Sequence, residues 1–184
     1  MSTPIPARLV LSAGLVALFL SGCDQAGPME PAAFAGRTAV GQLTTGEARP
    51  FRATYDFRLP VAPVVPCAGS AANRLFIEGE GIGTHLGRFT INLSQCDGPN
   101  GTLVDGLGTL VAANGDRLDF IYSGMLTGFA FPDLSFESQV TFTGGTGRFQ
   151  AATGNAVAHG SVDVNTGTGP TVWEGVISGI GTSE

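Results

Sequence analysis

Few residues in this chain are of a type and spacing that could do chemistry. Glu78 and Glu80 stand two apart, so an extended segment places both carboxylates on one face together with Phe76. Such a pair could exchange protons or hold a calcium ion, although a solvated outer face explains it without any chemistry. His85 follows a glycine-rich turn and could bind a metal or act as a base, or it could simply fix that turn through a hydrogen bond. His159 shares a side with Val157 and Ser161 and reads as a surface residue. Asp105, Asp116 and Asp119 are not at metal-ligand spacing, and Ser70 and Ser123 sit in no nucleophile motif. The Gly144–Gly147 run is followed by neither a lysine nor a helix signal, so it is not a phosphate loop. No catalytic set, metal site or cofactor is therefore expected.

A second group of residues could hold a ligand without transforming it. Tyr55, Phe57, Phe89, Phe120, Tyr122, Phe136 and Phe142 fall at inward positions of alternating segments. They could line a cavity for a small apolar molecule, or they could fill the interior completely.

These residues must be positioned by strands. Gly is abundant, with 28 residues spread without a fixed period, and the runs between glycines are rich in Thr, Val, Phe and Ile. No window shows a sustained helical period, and this pattern predicts an all-β sandwich or barrel. Phe51, Ala53, Tyr55, Phe57 and Leu59 alternate with Arg52, Thr54, Asp56 and Arg58. Phe89, Ile91 and Leu93 alternate with Thr90, Asn92 and Ser94. Asn114-Gly115 predicts a tight type I′ hairpin that would pair Val111 with Leu118, Thr109 with Phe120 and Leu107 with Tyr122. Met125 to Asp133 reads as a longer connection. Phe136, Val140 and Phe142 share a face, as do the small residues Ala156, Ala158 and Gly160 with Val162, which would suit a narrow interior. Adding Thr38–Thr44 and the closing segment around Trp173 gives eight or nine strands. That number suits a closed antiparallel barrel, which removes exposed edges.

The N-terminus describes an address. Arg8 is the only charge among the first 22 residues, and Leu9–Leu20 is an apolar run too short to span a bilayer but suited to a secretory signal. It ends in Leu20-Ser21-Gly22-Cys23, which resembles the lipobox of bacterial lipoproteins. The resemblance implies cleavage before Cys23, diacylglyceryl transfer to its thiol and acylation of the new amine. Several chains on one residue anchor stably where one does not. The implied organisation is a signal peptide at 1–22, a tether at 23–36 and a barrel domain at 37–184, with the protein held in the cell envelope by its N-terminal lipid. The mature chain keeps eight arginines, no lysine and fifteen acids. A net charge of −7 from that count argues against nucleic acid and against adhesion to an anionic leaflet.

Cys67 and Cys96 remain after Cys23, and in an oxidising compartment they can pair. If the chain reverses at Gly81-Ile82-Gly83, Cys96 lies one position from facing Cys67. A metal or redox pair is the other reading, though no His or further Cys lies near them in sequence.

Gly144-Gly145-Thr146-Gly147-Arg148-Phe149, followed by Ala152, Gly154 and Ala156, resembles a segment of about 20 residues in dirigent proteins and allene oxide cyclases. The order Thr84-His85-Leu86-Gly87-Arg88-Phe89-Thr90 and then Asn114-Gly115-Asp116 is similar to bacterial secreted proteins of unknown function, over most of Gly79–Gly179. The resemblance implies a small eight-stranded antiparallel barrel. In physical terms the segment is structural: Gly145 and Gly147 permit positive φ at a tight turn, Phe149 can plug a barrel end, and Gly154 lets the chain bend into the next strand. The functional readings that follow are a lipid-anchored, non-catalytic barrel binding a small apolar ligand, a cyclase- or isomerase-like enzyme acting on a hydrophobic molecule, and a structural envelope module. None of them fixes an oligomeric state.

Overall fold

The structure is a computed structural model and describes residues 46–60, 65–68 and 73–181. The signal segment, Cys23, the tether, the expected strand at Thr38–Thr44 and Ser70 lie outside the described residues. Eight strands follow: β1 Arg49–Arg58, β2 Arg74–Gly83, β3 Gly87–Asp97, β4 Thr102–Ala112, β5 Arg117–Ala130, β6 Asp133–Gly145, β7 Thr153–Asp163 and β8 Thr168–Ser178. Each pairs antiparallel with its sequence neighbours, and β8 returns to β1, closing the barrel. Closure leaves no unpaired edge for another chain to extend. Apart from the β1–β2 connection at residues 59–73, short up-and-down connections suffice because antiparallel neighbours need only a turn between them.

The alternation in β1 appears as expected, with Phe51, Ala53, Tyr55 and Phe57 buried and Arg52, Thr54, Asp56 and Arg58 exposed. Leu59 lies one residue beyond the strand and is partly exposed. Phe89, Ile91 and Leu93 of β3, Val140 and Phe142 of β6, and Ala156 and Ala158 of β7 also point into the core. Aromatic rings cross inward glycines, which leave them space. A Cβ on Gly81 would stand 2.9 Å from the Phe89 ring and 2.6 Å from the Tyr55 Cβ.

Three expectations about turns are corrected. The β2–β3 reversal occurs at Thr84–Leu86, not at Gly81–Gly83, so Arg74 and not residue 68 faces Cys96. Cys67 nevertheless reaches Cys96 from the β1–β2 connection, and the two form a disulfide. At Asn114-Gly115 only Gly115 takes positive φ (89°), whereas a type I′ turn needs it at both central residues. Gly115 N–H donates to Ala112 O and Ala112 N–H to Asp116 O, the pattern of a three-residue loop with a glycine bulge. Val111 therefore pairs with Arg117 and Leu110 with Leu118, one residue off the expected register. A one-residue slip exchanges faces, so Leu107 points outward and Leu110 inward. Finally, Met125–Asp133 is not a long connection. β5 runs on to Ala130, and the chain turns through a cis Phe131–Pro132 bond directly into β6. The exposed Phe129 and Phe131 sit at that tip.

The unit from Gly41 to Glu184 is compact and contains all eight strands, the disulfide and the whole buried cluster. A segment with its own complete core is one that folds by itself.

Candidate ligand-binding cavity

The two ends of the barrel are built differently. At the end formed by the β2–β3, β4–β5 and β6–β7 turns, Phe51, Leu86, Leu118, Phe142, Phe149 and Ile177 are buried to 4 % exposure or less. Phe51 and Phe142 pack edge to face with centroids 4.8 Å apart. Phe149 enters through a 3-10 turn at Gly147–Phe149 and is fully buried. The glycine-rich segment is what brings it there. Gly147 adopts a φ of 57° against the Asp116 carboxylate, and Gly145 lies so close to the Arg117 carbonyl that a Cβ would overlap it. Thr146 then exchanges bonds with β5, its N–H donating to Arg117 O at 2.9 Å and its Oγ1 accepting from Arg117 N–H at 3.0 Å. Gly144 and Gly154 also take positive φ, at 111° and 137°.

The opposite end is open. A cavity of about 330 Å³ enters between the 3-10 turn at Pro99–Gly101, the starts of β2, β4 and β6 and the ends of β3 and β7. Its walls are almost wholly apolar, with Leu75, Ile77, Leu103, Leu126 and Val162 among them. That volume lies at the lower bound of ordinary small-molecule sites.

Of the seven aromatic residues expected around a cavity, Tyr55, Phe57, Tyr122 and Phe136 line it. Phe89, Phe120 and Phe142 do not; they fill the sealed half of the barrel. Trp173 divides the two halves, lining the cavity while packing against Phe120 at 4.9 Å and Tyr55 at 5.9 Å. The sequence reading missed Trp173, Leu126 and Gln95 as lining residues. The inward phase of β3, β5 and β8 is the signal that would have found them.

The polar candidates are placed elsewhere. Glu78 and Glu80 alternate with the inward Ile77 and Gly79, and so stand on the outer face. Glu78 pairs with the exposed Arg58 at 3.1 Å. A pair this exposed contributes little to stability. His85 adopts a φ of 61°, and its Nε2 lies 3.2 Å from Pro50 O, which fixes the β2–β3 turn against β1. His159 is exposed, 3.6 Å from Glu137. Among the described residues, no group of three or more metal-ligating side chains is gathered.

Two polar clusters touch the cavity. Near its mouth the Tyr122 hydroxyl donates to Gln95 Oε1 at 2.9 Å, and Gln95 Nε2 donates to Asp97 Oδ1 at 3.2 Å. Behind its lining the hydroxyl of Tyr55 stands beside Trp173 Nε1 and Thr171 Oγ1, of which Thr171 does not line the cavity. The latter two atoms are fully buried, with the Tyr55 hydroxyl as the polar group beside them.

Burial dominates both phenols. It pushes Tyr55 from 10 to about 12, against the partial relief that Thr171 and Trp173 offer the ionised form. Burial also pushes Tyr122 up, joined by repulsion from Tyr55 and Asp97 and opposed by Arg74. Both therefore stay protonated at neutral pH. Unfolded phenols ionise near pH 10 and these two later, so their contribution to stability is intact below about pH 10. It is lost as pH rises through the folded values, at about 1.4 kcal/mol per pH unit for each tyrosine. Tyr55 and Tyr122 are the only tyrosines in the chain. Tyrosinate absorbance is expected to appear only with cooperative alkaline unfolding followed by circular dichroism. Gradual ionisation near pH 10 with the sheet intact would contradict the burial of these phenols.

No family model, curated protein or solved structure matches the chain.

Proposed function

We propose that this chain is a lipid-anchored protein of the cell envelope whose barrel binds a small apolar molecule without transforming it. The observation that carries the binding reading is the open apolar cavity of about 330 Å³ at one end of an otherwise packed barrel. An interior meant only for stability would be filled, since each unfilled methyl-sized space costs stability. Binding is favoured over catalysis by the lining itself. Among the described residues it offers two phenols held protonated, an amide, hydroxyls and Asp97, with no buried carboxylate or imidazole poised to move a proton. The closed eight-stranded barrel and the buried Phe149 after Gly144–Gly147 support relating the domain to the allene oxide cyclase and dirigent barrels. The lipid anchor is supported by the Leu20–Cys23 motif.

Two measurements test these parts separately. Mass spectrometry of the membrane-extracted protein is expected to find Cys23 as the first residue, carrying a diacylglyceryl group. An unmodified Cys23 would remove the anchor. For the cavity, native mass spectrometry of the Gly41–Glu184 unit with 1-decanol is expected to show one bound molecule. Ala158→Phe, which projects a ring from the buried wall, should weaken binding at least tenfold, and so should Leu126→Phe nearer the mouth. Undiminished binding in both folded variants would place the guest elsewhere.

A further inference from the structure

The mouth of the cavity is bordered by exposed apolar side chains; this inference rests on the envelope and binding reading above and adds the route by which the guest arrives. β1, β3, β5 and β7 end at the open end of the barrel, where β2, β4, β6 and β8 begin. The β5–β6 hairpin reaches this end at Phe129 and Phe131, which are 71 % and 80 % exposed, the highest values for large hydrophobic side chains among the described residues. Val164 in the β7–β8 turn donates its N–H to Pro132 O at 3.0 Å, and Leu59 just beyond β1 donates to Gly167 O of that same turn at 2.9 Å. These bonds join three neighbouring loops into one arc. Leu59 and Val164 are both exposed and both line the cavity, so the arc is continuous with the apolar wall inside.

Exposed apolar residues gathered at one place mark a surface that meets another molecule. A second copy of the chain and a lipid surface both offer apolar cover, and charge separates them. Asp133 and Asp163 face each other across β6 and β7 at the foot of the arc, and Asp97 stands at the mouth. Arg58 and Arg74, at the same end, are turned to Glu78 and to Ser94 Oγ and Asp105 O. A two-fold, mouth-to-mouth pair would set the same carboxylates against each other and shut the cavity off from its guest. A lipid surface of no net charge accepts the rings without that repulsion, whereas an anionic one repels the acids. A hydrophobic guest also collects in such a surface rather than in water.

The anchor permits this orientation. β1 begins at the sealed end, so the chain before Gly46 joins the barrel opposite the mouth. Residues 24–45 can span about 70 Å when extended. A ten-residue strand such as β1 is only about 33 Å long. A lipid on Cys23 would therefore leave enough chain for the open end to turn back to the membrane that holds it. We propose that the β5–β6 tip and the arc beside it dock on a zwitterionic lipid surface, with Phe129 and Phe131 inserted, so that the cavity fills from the bilayer and not from water.

Phosphatidylcholine vesicles test this with the Gly41–Glu184 unit, which lacks the lipidated cysteine and so reads the tip alone. The unit is expected to float with these vesicles, and to bind phosphatidylglycerol vesicles at low salt at least threefold more weakly. Phe129→Ser/Phe131→Ser should lower the partition into phosphatidylcholine at least tenfold, because binding to a lipid surface scales with the apolar area buried in it. Ile82→Ser, at 62 % exposure by the sealed end, should change it less than twofold. Native mass spectrometry should find 1-decanol bound equally by the double variant and the wild type, since neither ring lines the cavity. A wild-type unit that stays free of phosphatidylcholine, or a double variant that floats as well as the wild type, would overturn the docking and leave the cavity as a binding site. So would stronger flotation with phosphatidylglycerol, or, in place of vesicle binding, a dimer in sedimentation that the double variant dissolves. Absence of 1-decanol from the wild-type protein would instead remove the binding reading beneath it.

Discussion

Replacing Trp173 by alanine is expected to cost about 3–5 kcal/mol of folding stability, the range found when a large buried aromatic is truncated. The side chain is 2 % exposed, and three rings from two strands surround it: Phe51 at 6.5 Å and Tyr55 at 5.9 Å from β1, and Phe120 at 4.9 Å from β5, between centroids. It is both the floor of the cavity and the roof of the packed half. Its loss should join the cavity to a new void, and the barrel cannot collapse to fill it because β8 is held by β7 and β1 on either side. Thermal unfolding should shift down by about 10 °C or more. Val172→Ala is the control one residue away, on the outer face at 44 % exposure, and should cost under about 1 kcal/mol. Equal effects from the two substitutions would mean that the interior of β8 is not assigned correctly.

The second large effect belongs to the disulfide. Cys67 and Cys96 are 29 residues apart, and the loop they close should contribute about 3–4 kcal/mol by restricting the unfolded chain. Its position adds a local consequence. Cys96 lies between Gln95 and Asp97, both in the cavity wall, and Cys67 belongs to the β1–β2 connection. Reduction should lower the urea midpoint of the wild-type chain by an amount matching that free energy. The Cys67→Ser/Cys96→Ser double variant should already show the lower midpoint and should not respond to reductant. A wild-type midpoint that ignores reductant, with both thiols free to alkylate, would show that the bond does not form in solution.

Much of the barrel was legible because alternation is a strong signal wherever one face is buried. Phe51 to Phe57, Phe89 to Leu93 and Ala156 to Ala158 declared their inward faces directly. What alternation does not carry is height along the barrel axis. Height depends on how strands are staggered, and stagger depends on turns. Phe120 and Tyr122 share a face of β5, yet one fills the sealed half and the other lines the cavity. The turns were harder to read. Gly81 and Gly83 looked like a reversal but lie within β2, where Gly81 makes room for Tyr55 and Phe89. Asn114-Gly115 marked a hairpin correctly but not its loop type, and one residue of error exchanged the faces of Leu107 and Leu110. A bulge near Asp105, where Val104 and Asp105 both face out, resets the phase of β4 a second time. Met125, Phe129 and Phe131 break the polar-outside rule, and for that reason a continuous hairpin was read as a connection.

The central claim is that the open end of this barrel holds an apolar guest. The measurement that bears on it most directly is a crystal structure of the Gly41–Glu184 unit soaked with 1-decanol. The account predicts ordered density for one chain inside the barrel, bounded by Tyr55, Tyr122, Leu126, Phe136 and Trp173. An interior that stays empty at saturating decanol, with density only against the exposed Phe129 and Phe131, would contradict it.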